Sequence, residues 1–142
     1  TEQTMQMGLY ESGKQQRTSE TPLILAVEDN EDNLLIINYV VDSLSCRFIG
    51  EANGNRTLEI ARESQPDLIL LDIMLPETNG IDLFYDLKKD VSTSHIPVIA
   101  VTALARSEEK QRILDAGFNA YISKPYMLEE IEELICRHLN LK

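Results

Sequence analysis

A chain of 142 residues is the size of one domain, and a hydrophobic share of 43% is too high for a disordered one. No apolar run approaches the roughly 18 residues of a membrane span, and no apolar leader opens the chain, so a cytoplasmic protein without membrane insertion is the expectation. The formal charge of −11 argues against direct nucleic-acid binding, whose energy comes mainly from neutralising phosphates with Lys and Arg.

Residues 1–20 are polar and aperiodic and read as a flexible tail ahead of one folded domain over 21–142. Within the tail, Gly8 to Lys14 has the spacing of a phosphate-binding loop. That loop needs a preceding strand and a Ser or Thr after the Lys; here Gln15 follows, and the match is a coincidence. Leu23–Val27 is a solidly apolar run, read as a buried strand. Asn30 is placed to cap a helix over 31–44 with Leu34, Ile37, Val41 and Leu44 at helical spacing, and Glu31 and Asp32 suit its positive end. Residues 47–52 predict a second strand and about 55–64 a second helix. Pro66 introduces a third strand, 67–71, followed by a helix over 80–89 with Ile81, Leu83, Phe84 and Leu87 inward. A fourth strand is expected over 97–101. Ser107 is read as the cap of a fourth helix that Gly117 ends. Ala120–Ile122 is a short fifth strand, and 127–138 the last helix. Cys46 and Cys136 have no metal spacing and read as buried free thiols, while His95 and His138 belong to no zinc pattern.

Five alternating strand–helix units imply an α/β fold: a doubly wound parallel sheet with helices on both faces. Ligands of such sheets bind beyond the carboxyl ends of the strands. The residues at those ends are Glu28 and Asp29, Asp72, Thr102 and Lys124. Singly each has a plain explanation: a helix cap, a loop acid, a strand-end threonine, a surface cation. Together they bring carboxylates, a hydroxyl and an ammonium to one edge. Crowded carboxylates repel and favour a hard cation such as Mg2+, whose open positions suit phosphoryl chemistry.

The motifs Val27-Glu28-Asp29-Asn30, Leu70-Leu71-Asp72-Ile73-Met74-Leu75-Pro76, Val101-Thr102-Ala103 and Ser123-Lys124-Pro125 resemble those of the receiver (response-regulator) family of two-component signalling, CheY-like in fold. The resemblance covers about residues 22–140 and implies a five-stranded sheet of order 2-1-3-4-5. It implies Asp72 as phosphoacceptor, with Glu28, Asp29, Asp72 and the backbone carbonyl of Met74 around Mg2+. Lys124 and Thr102 would contact the phosphoryl group, Tyr121 would be the aromatic switch, and the Lys124–Pro125 bond would be cis. Glu28 stands where many members have Asp. The donor implied is a sensor histidine kinase or a histidine phosphotransfer protein. The output implied is a downstream protein docking on the face of helix four, strand five and helix five, around Arg106, Lys110, Tyr121, Tyr126 and Met127. Met74, Ala103 and Leu104 flank the site and are expected to govern water access to the phosphate.

Two other functions compete. A phosphatase of the haloacid dehalogenase class also places Asp, Thr or Ser, Lys and Mg2+ together, but needs a second acid two residues after the nucleophile. Met74 stands there and cannot transfer a proton. A receiver-like binding module that has lost phosphorylation would lack an acid, the phosphoacceptor or the Lys, and all are present. The expectation is therefore a signalling domain, not an enzyme with an external substrate. No effector domain is recognisable after the last helix, so the signal would pass to a separate protein. A first residue that is Thr1 equally fits a receiver cut from a larger hybrid kinase.

Overall fold

Among the described residues every strand except Arg47–Glu51, at one edge of the sheet, is dominated by apolar residues, which are satisfied between two helical layers. The computed structural model describes residues 21–103 and 106–141; the expected tail, its Gly8–Lys14 segment and Leu104 lie outside them. The elements run β1 (Leu23–Val27), α1 (Glu31–Ser43), β2 (Arg47–Glu51), a 3-10 turn (Gly54–Arg56), α2 (Thr57–Ser64), β3 (Leu68–Asp72), α3 (Gly80–Lys89), β4 (Val98–Thr102), α4 (Ser107–Ala116), β5 (Ala120–Ser123) and α5 (Leu128–Leu139). All neighbouring strands are parallel, in the order β2-β1-β3-β4-β5, as the resemblance implied.

The period of two along each strand divides the core into two clusters. Leu25, Val27, Ile69, Leu71, Val98 and Ala100 face one way, against Ile60 and Ala61 of α2, Leu83, Phe84 and Leu87 of α3, and Ile113 of α4. Ile24, Ala26, Leu68, Leu70, Ile99 and Val101 face the other, against Ile37, Val40 and Val41 of α1 and Ile131 and Ile135 of α5. Among the described residues no helix is long and apolar enough to cross a membrane.

Most expected elements are present within a residue or two, and the departures have local causes. The second helix begins as a 3-10 turn because the Asn53 side chain accepts the N–H of Asn55 at 2.9 Å, tightening the chain before Thr57. Ser107 does not cap α4: extended Arg106 holds the N-cap position without a side-chain bond, and Ser107 is already helical. Asn30 caps α1 as expected, accepting from the N–H of Asn33 at 3.0 Å. Cys46 is buried, but Cys136 is only half-buried, because it lies one residue off the inward stripe of Ile131 and Ile135.

Candidate metal and phosphoacceptor site

Strand register brings the site together. Val27 pairs with Leu71, so Glu28 and Asp72 emerge side by side. Asp72 pairs with Val101, which places Thr102 one step beyond, and Thr102 pairs with Ser123, so Lys124 follows at the same edge. Backbone bonds hold these ends level: Glu28 N–H donates to Glu51 (3.0 Å), Ile73 N–H to Val101 (2.9 Å) and Lys124 N–H to Thr102 (2.8 Å). Four residues that sequence placed at the ends of four separate segments thus lie at one edge of the sheet.

Glu28 and Asp72 are each 2% exposed, whereas Asp29 is open to solvent. One oxygen from each of Glu28, Asp29 and Asp72 lies within 4.8 Å of the others. The Lys124 ammonium donates to Asp72 Oδ2 at 2.9 Å and stands 3.0 Å from Glu28 Oε1. That second contact is an ion pair without hydrogen-bond alignment, and Glu28 Oε1 remains a buried acceptor with no donor. Glu28 Oε2 accepts from Asn30 N–H at 3.0 Å, and Asp72 Oδ1 from Met74 N–H at 2.9 Å.

Burial pushes the Glu28 carboxyl above its ordinary value, and the Asp72 charge adds to this against the opposing Asn30 backbone bond and the Lys124 ammonium. Burial would lower Lys124, but its hydrogen bond to Asp72 and its close contact with both Asp72 and Glu28 outweigh that and raise it. The pocket therefore holds more negative charge than one ammonium neutralises, and Glu28 Oε1 has that ammonium beside it but no aligned donor. Such a donor set fits a hard divalent cation.

Thr102 is fully buried. Tyr121 is half-buried on the cluster shared by α2, α3 and α4, with the Lys110 ammonium 5.6 Å from its ring centre. Tyr126, named with Tyr121 for the output face, packs against the α1–α5 cluster, on the other side of the sheet from the cluster that Tyr121 touches. Its hydroxyl is buried without a partner, and burial followed by the Glu28 charge raises its pKa. Arg106 and Met127 are exposed, as are Met74 and Ala103 beside the site. The Lys124–Pro125 bond is cis.

Sequence reasoning read Gly80 only as a helix start. An ideal Cβ there would lie 2.6 Å from both the Asp72 carbonyl oxygen and Ile73 Cα, so the first turn of α3 packs directly on the backbone that carries Asp72. The Asn79-Gly80 pair at a helix start was the available signal.

A model of the response regulator receiver domain matches residues 24–136. The polar-differentiation response regulator DivK of Brucella anthropi is 42% identical over 117 residues, covering 82% of this chain and 95% of that protein. The DivK protein of Brucella abortus strain S19 is 41% identical over 120 residues, covering 84% and 98%. Among solved structures, the receiver domain of a sensor histidine kinase from Pseudomonas aeruginosa PAO1, with magnesium coordinated in its active site cleft, superposes with a TM-score of 0.76. It is 30% identical, covering 84% of this chain and 98% of that one. A response regulator from Desulfuromonas acetoxidans gives 0.77 at 29% identity, with 84% and 97% covered.

Proposed function

This chain belongs to the response regulator receiver family, and from that membership we propose that Asp72 is the residue that accepts the phosphoryl group. The family makes it a signalling protein, not an enzyme, with a histidine kinase as phosphodonor. What carries the assignment to Asp72 is its position. It is buried, central among the strand ends, and bonded to Lys124 at 2.9 Å.

In the proposed reaction a carboxylate oxygen of Asp72 attacks phosphorus, the P–O bond forms, and the P–N bond to the donor histidine breaks. The imidazole leaves with the electron pair of that bond and takes up a proton. Glu28, Asp29, Asp72 and the Met74 carbonyl would hold Mg2+, which when bound supplies charge neutralisation at the phosphoryl oxygens. Lys124, already raised in pKa, brings a fixed ammonium to the same oxygens, and Thr102 brings a hydroxyl from the end of β4. No acid–base residue is needed, because phosphoryl transfer of this kind depends on positioning and electrostatics. A histidine phosphotransfer protein would serve as donor equally well. The exposed Leu35, Ile36 and Tyr39 lie on α1, the helix that follows Asp29, and offer that donor an apolar surface.

The test is intact mass after incubation with Mg2+ and phosphoramidate. Wild-type chain is expected to gain one phosphate, and Asp72→Asn none. A gain that survives the substitution, or no gain in wild type, removes the assignment.

For the output we propose the face of α4, β5 and α5, with Tyr121 as its switch. Phosphate on Asp72 would draw Thr102 toward it, vacating space beside Tyr121 and biasing α4. Tyr121 already packs on the core beside Lys110, which supports a coupling to α4. Amide exchange of 107–116 and 120–123 is expected to change on phosphorylation. Changes confined to α1 and α2 would contradict this face.

A further inference from the structure

We propose that Thr78 is a positioning residue for the cation site, its hydroxyl held by Asn55 so that the segment 73–79, with the Met74 carbonyl, keeps its place. This rests on the reading of Glu28, Asp29, Asp72 and that carbonyl as the cation ligands.

The segment between β3 and α3 is tied to its own ends first. Met74 N–H donates to Asp72 Oδ1 at 2.9 Å, Gly80 N–H donates to the Ile73 carbonyl at 3.0 Å, and Met74 and Asn79 form an antiparallel bridge. Ile73 N–H also donates to the Val101 carbonyl, and Ile73 and Leu75 are buried in the core, which fixes the inner part of the segment. Two contacts with the turn after β2 hold its outer part. An ideal Cβ on Gly54 would lie 2.7 Å from Leu75 Cδ1 and 3.4 Å from Thr78 Cβ, so the segment rests on the bare glycine. Beside it, the Thr78 hydroxyl donates to Asn55 Oδ1 at 2.8 Å. The turn is itself braced: Asn53 N–H donates to Glu51 Oε2, and Asn55 N–H donates to Asn53 Oδ1, both at 2.9 Å. A continuous run of bonds leads from the end of β2 to Thr78, near the far end of the proposed ligand-bearing segment.

The Thr78–Asn55 bond is solvent-exposed, and such bonds add little net stability because water replaces them readily. Cation affinity is more demanding. Mg2+ holds its ligands near 2.0–2.1 Å in strict octahedral geometry, so a shift of the carbonyl by a fraction of an ångström is felt. Outer contacts that orient ligands typically change metal affinity by about tenfold or more; for one exposed bond acting through a backbone segment, about fivefold is expected.

The experiment is a Mg2+ titration followed by the amide chemical shifts of Met74 and Leu75, in wild type, Thr78→Val, Thr78→Ser and Asn55→Ala, with Asp72→Asn as control. Valine keeps the shape and removes the hydroxyl; serine keeps the hydroxyl. Thr78→Val and Asn55→Ala are expected to bind Mg2+ about fivefold more weakly while unfolding at the wild-type temperature without the cation, and Thr78→Ser to bind as wild type. Equal affinities in all four chains would remove the role of Thr78 and leave the cation site standing, and so would a serine variant as weak as valine. The absence of any Asp72-dependent shift in wild type would remove the site itself, and the proposal with it.

Discussion

A Lys124→Met chain is expected to unfold about 3 kcal/mol more easily than wild type in Mg2+-free buffer at neutral pH, within the range for stripping the partner from a buried ion pair. The ammonium is the cation bonded to Asp72 and paired with Glu28, both 2% exposed. Methionine fills much of the same volume, so the loss reports charge more than packing. Without the cation, two unit charges within 4.8 Å repel by roughly 3–4 kcal/mol at an effective dielectric of 20. Glu28 limits the cost by taking up a proton, since burial and then Asp72 already hold its pKa high. A carboxyl whose folded pKa exceeds its unfolded value destabilises the fold above the folded pKa, and that penalty disappears as pH falls toward the unfolded value. Removing Lys124 takes away the close ammonium that lowered Glu28, so its pKa climbs further and the deficit should narrow in mildly acidic buffer. Urea unfolding in the presence of a chelator, at neutral and at mildly acidic pH, measures both. A midpoint equal to wild type, or a deficit that widens on acidification, would contradict the ion pair.

Glu28, Asp72, Thr102 and Lys124 were legible because each ends or follows an apolar run, and parallel strands buried on both faces must end at one edge. Register then does the rest, with Val27 beside Leu71 and Thr102 beside Ser123. Residues outside those runs were less legible. Tyr126 follows β5 beyond any strand period, so nothing local could say that it packs beside α1 and α5 while Tyr121 faces the opposite cluster. The Thr78–Asn55 bond joins two turns 23 residues apart, a solvent-exposed tertiary contact between polar residues with no periodic signature. Ser107 misled because a serine before two glutamates has the composition of a cap, yet the extended backbone belongs to Arg106.

The largest effect of adding a ligand should come from Mg2+, and Asp29 separates that effect from the fold. A ligand that binds only the folded state stabilises it by about 2.7 kcal/mol at a hundred times its dissociation constant, and wild-type chain is expected to gain that much from Mg2+. Asp29 is exposed, so Asp29→Asn removes no buried contact, and without the cation it relieves repulsion from Glu28 and Asp72. The variant should therefore unfold at or slightly above the wild-type midpoint in chelator, yet gain well under half as much when Mg2+ is supplied at the same concentration. Opposite signs in the two buffers mark a residue kept for ion binding at the expense of the empty fold. A purely structural Asp29 would lower both midpoints together, and an Asn variant that gains as much as wild type would take Asp29 out of the ligand set while leaving Glu28 and Asp72 in it.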